Sequence, residues 1–196
     1  MFLDFVNTIN EKYEPMKESD LDSLQDYAIF RTYKKNEVII KKDSQVQGLF
    51  FVVKGSLRVY YDRNGNDKTT FFHSKGAFVR SYTHGTFQIP AKENYQALEE
   101  TTLLIFDKHK LEAMFKLFPK LERIARLGVE SGLSKYQQLI VSHILLSPEE
   151  RFVELLAVNK DLFQKASQKH IASYLGISPE TLSRIKRKVY TKIRCN

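Results

Sequence analysis

The chain has 196 residues, of which 42% are hydrophobic, and carries a formal net charge of +8 at neutral pH. Its single cysteine, Cys195, excludes an intramolecular disulfide and a cysteine-rich zinc or iron–sulfur site within one chain, and it favours a reducing compartment. No segment resembles a signal peptide or a membrane-spanning helix, so we expect a cytoplasmic protein without a membrane partner.

The positive charge is concentrated near the C-terminus. Residues 160–196 contain nine Lys or Arg and two acidic residues, a net charge of +7, which leaves +1 for the first 159 residues. Such an asymmetry is typical of a nucleic-acid contact at one end of a chain. A solvated basic tail is the alternative interpretation.

A short entry helix is the first predicted element. Ser19 and Asp22 resemble a helix N-cap in their spacing. The apolar face of this helix is predicted from four residues, Leu21, Leu24, Tyr27 and Ala28.

Short strands separated by turns are predicted after residue 37. Lys54-Gly55 and Asn64-Gly65-Asn66 are the turn signals, because glycine and asparagine reach positive φ at little cost. The predicted strands are residues 38–40, 49–53, 57–61, 69–72, 77–79, 95–98 and 103–106. Short strands at this spacing favour an antiparallel jelly roll or barrel.

The apolar period becomes helical after Asp107. One long helix is predicted from Pro119 to Ile144, and its apolar stripe needs a partner. Gly128, Ser131 and Gly132 would let a second helix approach, which favours self-association, although packing on its own barrel is the alternative. Ser147, with Pro148 and Glu150 after it, predicts the start of another helix with a capping box. The predicted buried face of that helix is Phe152, Leu155 and Leu156.

Residues 168–189, QKHIASYLGISPETLSRIKRKV, predict a helix, a tight turn and a second helix. Gly176 stands where the turn needs positive φ, and Ser178 and Pro179 are suited to cap and open the second helix. The predicted core between the two helices is Ile171, Ala172, Leu175, Ile177, Leu182, Ile185 and Val189. This helix-turn-helix predicts DNA binding, with an ordinary helical hairpin as the alternative.

The outer face of the second helix carries the candidate DNA contacts. Glu180 can accept a hydrogen bond from a cytosine amino group, and Arg184 can donate two to guanine; Pro179 and Ser183 flank them as further base-reading candidates. The predicted phosphate contacts are Lys169, Ser167, Ser178, Thr181, Lys186, Arg187 and Lys188, with Lys192 and Arg194 as further basic candidates.

The sequence resembles the family of the cyclic-AMP receptor protein and the FNR regulators, Crp/Fnr, over nearly its whole length. The landmarks are residues 53–57, VKGSL, residues 75–78, KGAF, and the helix-turn-helix. The resemblance implies an α+β fold: a β-roll of the cyclic-nucleotide-binding type at residues 1–118, a dimerisation helix at 119–146 and a helix-turn-helix domain at 147–196. We expect that domain to lack the full trailing wing of the family.

The resemblance also implies the partners. A homodimer is expected to bind a palindromic site on double-stranded DNA, and RNA polymerase and a small-molecule effector are the further implied partners. Glu180 and Arg184 match the family's recognition helix, whereas Pro179 replaces its first arginine.

Cyclic AMP is not the expected effector. Family members that bind it hold the ribose with a Gly-Glu pair and the cyclic phosphate with an Arg-Ser or Arg-Thr pair; here Arg80-Ser81 takes the first place, and Ala91-Lys92 or a neighbouring pair takes the second. A buried phosphate without its ionic partner would be costly. Arg80, Ser81 and Lys92 are therefore candidates for the pocket of a different acidic effector, with solvated charges as the alternative.

Two other classes of function were weighed against DNA binding. A cupin-like metal enzyme needs clustered histidines, whereas the five histidines here are scattered, so no catalytic residue, metal or cofactor is expected. Haem ligation by His73 or His84 is a related alternative, although both are predicted to be surface histidines. The last alternative is a β-roll sensor module that binds a small molecule or a protein and no longer reads DNA.

Overall fold

The computed structural model describes residues 1–13, 15, 24–46, 48–81 and 89–195, and the side chains in these ranges except those of residues 193–195. The chain forms two compact units. The first unit comprises Met1–Val59 and Phe72–Ser134, and the second comprises Tyr60–Phe71 and Lys135–Asn196. The three segments predicted from the sequence, with bounds at residues 118 and 146, stay a prediction.

The strands of the described residues form two four-stranded sheets. The strands are β1 Ala28–Tyr33, β2 Val38–Ile40, β3 Gly48–Lys54, β4 Ser56–Arg63, β5 Asn66–Ser74, β6 Phe78–Val79, β7 Asn94–Ala97 and β8 Thr101–Asp107. One sheet has the order β1-β8-β3-β6, with antiparallel pairing, and the other has the order β2-β7-β4-β5. The predicted jelly-roll-like β-roll is confirmed.

All seven predicted strands are present within a few residues of their predicted bounds. The predicted turn between β4 and β5 is also present, because Asn64 and Gly65 both have positive φ, 56° and 76°. Two consecutive residues of positive φ give a turn whose twist matches that of the flanking strands. This turn makes β4 and β5 a hairpin.

The predicted entry helix is wrong at its C-terminal end. Leu24–Asp26 form a short 3-10 turn and Ala28 begins β1, while Ser19, Leu21 and Asp22 lie outside the described residues. Six residues of β1 pair with β8, from Ala28 opposite Phe106 to Tyr33 opposite Thr101. Backbone pairing with a distant strand therefore outweighs the local helical spacing in this segment.

The helices of the described residues are α1 Phe2–Lys12, α2 Leu111–Leu117, α3 Pro119–Leu145, α4 Pro148–Val158, α5 Leu162–Lys165, α6 Gln168–Tyr174 and α7 Pro179–Cys195. The long helix α3 is confirmed, and so is the capping box of α4. The Ser147 hydroxyl accepts from the Glu150 N–H at 3.4 Å, and the Glu150 carboxylate accepts from the Ser147 N–H at 2.8 Å. No helix within the described ranges combines the length and apolar character needed to cross a bilayer.

Aromatic rings form the core of the first unit. Phe51 lies at its centre, with the rings of Phe5 and Phe78 both 4.9 Å away in edge-to-face geometry. Phe5 comes from α1, whose buried Phe5, Val6 and Ile9 follow a helical spacing. Each fully buried large side chain of this kind contributes roughly 1.5–3 kcal/mol by removal from water.

Gly128 has a different role from the one predicted. A Cβ atom at Gly128 would lie 2.2 Å from Cδ2 of Phe78, so the ring packs directly on the backbone of α3. The small residue at this position thus makes room for a side chain of the β-roll of the same chain, and not for a second helix. The alternative packing, on the chain's own barrel, is the one observed at this residue.

Candidate nucleic-acid interface

The helix-turn-helix is built by α6, the turn after it and α7, all within the second unit. Its inner side chains are buried as predicted: Ile171, Ala172, Leu175, Leu182, Ile185 and Val189. Ile177, the remaining predicted core residue, is half-buried. The buried positions of α7 recur at three- and four-residue spacing, so its opposite face is left to solvent.

The turn has the backbone geometry predicted from the sequence. Gly176 has a φ of +70°, and the Ile177 N–H donates to the carbonyl of Ala172 at 3.0 Å. The Ser178 hydroxyl accepts from the Thr181 N–H at 3.2 Å, which caps the start of α7. Ser167 caps α6 in the same way, by accepting from the His170 N–H at 3.2 Å.

Arg151 of α4 fixes the turn in place. Its Nε and Nη2 both donate to the Leu175 carbonyl, at 3.2 and 3.0 Å, and its Nη1 donates to the Leu146 carbonyl at 2.7 Å. One guanidinium therefore holds the carbonyl that follows α6 and the carbonyl that follows α3. No pattern in the sequence indicates this role, because a lone arginine in an amphipathic helix has no spacing signal for a partner 24 residues away.

The exposed face of α7 brings the predicted base-reading residues together. Pro179, Glu180, Ser183 and Arg184 are all exposed, and Arg187 continues the stripe one turn further. A hydrogen bond from the Ser178 hydroxyl lowers the pKa of the Glu180 carboxyl, with a smaller contribution from the Glu180 backbone N–H. Glu180 is therefore an ionised acceptor at neutral pH, the form that a cytosine amino group requires.

Two of the lysines on α7 have an intramolecular partner. Lys188 lies 2.6 Å and Lys192 3.2 Å from the carboxylate of Glu149 at the start of α4. Their hydrogen bonds lower the pKa of the Glu149 carboxyl, so the carboxylate stays charged. DNA phosphates would have to compete with Glu149 for both lysines.

The other predicted phosphate contacts differ in their surroundings. Lys186 lies over the ring of Tyr190, 5.9 Å from the centroid, and Thr181 is half-buried beside Ser178. Arg187 is exposed on α7 and has no ion pair within the described part of the chain. Among the predicted phosphate-binding cations whose side chains the structure describes, Arg187 is therefore the least engaged.

The hairpin β4–β5 contacts α6 within the second unit. Asp67 lies 3.0 Å from Lys169 Nζ and 3.9 Å from His170 Nε2, and the Thr69 N–H donates to the Ser173 hydroxyl at 2.9 Å. Phe71 stacks on Tyr136 of α3 with ring centroids 3.9 Å apart. These contacts join residues 65 to 104 positions apart, and no local pattern in the sequence indicates them.

The candidate effector residues lie in the first unit. Ser81 is buried and Arg80 is exposed, and both line one cavity; Lys92 is exposed and lies outside the described lining of that cavity. His73 is only 8% exposed, so the prediction of a surface histidine is wrong at this position, since β5 turns the side chain inward. His84 lies outside the described residues.

Comparisons with known proteins agree with this arrangement. The cyclic nucleotide-binding domain profile matches residues 30–117. The transcriptional activator protein FnrA of Stutzerimonas stutzeri is 25% identical over 179 residues, covering 85% of this chain and 72% of FnrA. The transcriptional activator protein Anr of Pseudomonas aeruginosa shows the same identity and coverage.

Solved structures share the fold. The c-di-GMP responsive global regulator CLP of Xanthomonas campestris superposes with a TM-score of 0.73 at 13% identity, over 90% of this chain and 93% of CLP. FixK2 of Bradyrhizobium japonicum superposes with a TM-score of 0.70 at 21% identity, over 84% and 85% of the two chains. By sequence and by fold, the chain is similar to transcription regulators of the Crp/Fnr type, and its residues 30–117 match the cyclic nucleotide-binding domain.

Proposed function

We propose that the chain binds a palindromic operator as a homodimer, with α7 in the major groove of each half-site. The observation that carries this proposal is the division of α7 into two faces. Leu182, Ile185 and Val189 are buried on one side, while Glu180 and Arg184 are exposed on the other. A helix held in this way presents polar side chains to base edges without disturbing its own core.

The base-reading roles follow from the chemistry of the exposed stripe. Glu180 accepts from a cytosine amino group, and Arg184, one turn later, donates two hydrogen bonds to guanine. Pro179 and Ser183 lie beside them and complete the surface that meets the bases. Pro179 has no side-chain donor, so the base pair that it faces should be read less strictly.

The phosphate contacts supply affinity rather than specificity. Arg187 is the strongest candidate, because it is exposed and has no ion pair among the described side chains. Engagement of Lys169 and Lys188 requires exchange of Asp67 and Glu149 for phosphate. The remaining proposed contacts are Lys186, Ser167, Ser178 and Thr181.

The dimer is proposed from the exposed apolar side chains of α3. Leu133, Ile140 and Ile144 are each at least 60% exposed, although they are large and apolar. Their spacing of seven and then four residues places them along one stripe of the helix. A second copy of α3 would cover this stripe and set two recognition helices about 34–36 Å apart, in successive major grooves.

The proposals on location, catalytic activity, effector and RNA polymerase rest on the resemblance to the Crp/Fnr family. We place the regulator in the cytoplasm, without catalytic activity, under the control of an effector other than cyclic AMP and in contact with RNA polymerase. The relatives FnrA and Anr are transcriptional activators by name, which supports a role in transcription.

Selection from a random duplex library tests the proposal. The purified chain, without added ligand, is incubated with the library at moderate salt, and the retained sequences are read. Enrichment of an imperfect palindrome is the expected result. If DNA retention falls steeply with salt and no sequence is enriched, the proposal of sequence-specific DNA binding is overturned. That result would favour the sensor module that no longer reads DNA.

A further inference from the structure

A cavity of about 690 Å³ lies within the first compact unit. It is bordered by the two residues that follow β6, by residues before and at the start of β3, by the segment after β8, and by α2 and the first half of α3. Its volume lies within the range of pockets that hold small organic molecules, roughly 300–1,000 Å³.

The charged residues that line this cavity are mainly cationic. Arg80, Lys108 and Arg126 contribute three positive charges, against the single carboxylate of Glu122 in the described lining. The guanidinium of Arg126 also pairs with Glu130 at 3.1 Å, but both side chains are more than half exposed. Water screens such a pair, so Arg126 is able to turn toward an anion in the cavity.

The apolar part of the lining is formed by core side chains and by side chains that pack beside them. Val46, Leu49 and Ala125 are buried beneath the cavity. Leu111, Phe115 and Val129 are half-buried at its wall. An apolar wall next to a cationic rim matches a ligand that has an apolar body and an acidic end.

We propose that this cavity binds a small organic acid. Arg80, Lys108 and Arg126 hold its anionic group, and its apolar body packs on Leu111, Phe115 and Val129. The binding is independent of DNA recognition, whereas the use of the cavity as the effector site rests on the proposed function. Lys92, a candidate from the sequence, has no part in this site.

Fluorescence of anilinonaphthalene sulfonate, an aromatic anion, tests the site on the full-length chain. We expect saturable binding that phenylbutyrate reverses and that its neutral amide reverses much less. The double variant Lys108→Gln with Arg126→Gln should weaken probe binding at least roughly tenfold, as the loss of charge-assisted hydrogen bonds does. Both residues are exposed, so thermal unfolding should be unchanged.

Lys92→Gln is the matched control, because it removes an exposed lysine of the same unit outside the cavity lining, and it should bind the probe like the wild type. Val129→Trp should block the cavity without removal of charge and abolish probe binding. Equal displacement by phenylbutyrate and its amide, or wild-type affinity in the double variant, would overturn the proposal. Operator binding is measured separately without probe, so its loss alongside intact probe binding would count only against the proposed function.

Discussion

Arg184 is the residue on which recognition of the operator sequence should depend most. It lies one turn after Glu180 on the exposed face of α7, and its side chain has no ion pair within the described residues. We expect Arg184→Ala to cost about 1–3 kcal/mol of operator binding and to relax one base position in each half-site. Binding to a set of operators with single base-pair changes measures both effects.

Arg187→Ala is the control for Arg184, because it removes the same side chain one turn further along the same helix. It should weaken all the operators alike and reduce the salt dependence by about one phosphate contact. If both variants lose affinity uniformly across the set, Arg184 binds phosphate and the base-reading assignment is wrong.

The protonation of Glu180 gives a second prediction at the residue scale. Its carboxyl pKa is lowered, first by the Ser178 hydroxyl, so the carboxylate loses its charge only as the pH falls below the ordinary glutamate value of 4.5. The preference for cytosine at its position should therefore be unchanged between about pH 6 and about pH 8. Competition between matched and mismatched operators at several pH values checks this. A preference that changes within this interval would show that another titrating group reads the position.

Glu149 should limit nonspecific DNA binding, because it holds Lys188 and Lys192 within the protein. Glu149→Gln removes the charge that pairs with both lysines and frees them for phosphates. We expect tighter binding to random duplexes and a steeper fall of affinity with salt, by up to about two phosphate contacts. Asp161→Asn is the control, because it removes an exposed acidic charge of the second unit that has no ion pair among the described residues. Unchanged salt dependence in Glu149→Gln would mean that neither lysine meets the DNA backbone.

At the scale of elements, the hairpin β4–β5 restrains the first helix of the DNA-binding motif. Asp67 binds Lys169, a predicted phosphate contact, and Thr69 binds Ser173 on the next turn of α6. Asp67→Asn should therefore release Lys169 and increase affinity for DNA of any sequence severalfold. Faster amide hydrogen exchange at Thr69 should accompany the change, since the hairpin loses one of its attachments.

Asp62→Asn is the matched control for this hairpin prediction. It removes the same charge from the same hairpin, but Asp62 is exposed and has no ion pair among the described residues. A similar gain of affinity in both variants would mean that the effect comes from the total charge rather than from the release of Lys169.

Local patterns were sufficient to predict the elements that carry the candidate site. Gly176, Ser178 and the spacing of Leu182, Ile185 and Val189 each satisfy a requirement of the helix-turn-helix within a few residues of sequence, and each is found as predicted. Arg151 could not be found in this way, because its partners are backbone carbonyls that any sequence supplies. The same holds for Asp67, whose partner lies about 100 residues away.

The fold was likewise predictable where local patterns determine it and not where distant residues do. Clear turns predict the strands that they separate, whereas Ala28, the first residue of β1, is predicted as the end of a helix because the pairing of β1 with β8 is nonlocal. The sequence predicts Gly128 at a helix–helix contact because a local pattern cannot show which side chain fills the space beside a glycine. Small residues indicate a close approach, and only the structure identifies Phe78 as the group that approaches.

At the scale of the whole molecule, the net charge of the C-terminal segment and the distribution of its charges lead to different expectations for DNA binding. The C-terminal 37 residues hold a net charge of +7, but three of their lysines are paired with Asp67 and Glu149, two carboxylates outside that stretch of sequence. The cationic face that we propose to meet DNA is therefore smaller than the composition suggests. It is centred on Arg184 and Arg187, which favours sequence reading over indiscriminate attraction to DNA.

The dimer is the last property to test, because the palindromic operator depends on it. Ile140 and Ile144 are 61% and 74% exposed in the single chain, so their replacement by Glu should not disturb the fold of the protomer. In a dimer the same carboxylates would be buried between two helices and would repel each other. Sedimentation should therefore show a dimer for the wild type and a monomer for Ile140→Glu with Ile144→Glu.

Leu117→Glu on α2, an equally exposed apolar residue off the stripe, should leave the dimer intact. The monomer should lose about a hundredfold or more in affinity for the palindrome but retain weak half-site binding, since the second half-site contact is no longer intramolecular. A variant that stays dimeric, or a wild type that is monomeric on its operator, would show that α3 does not form the interface.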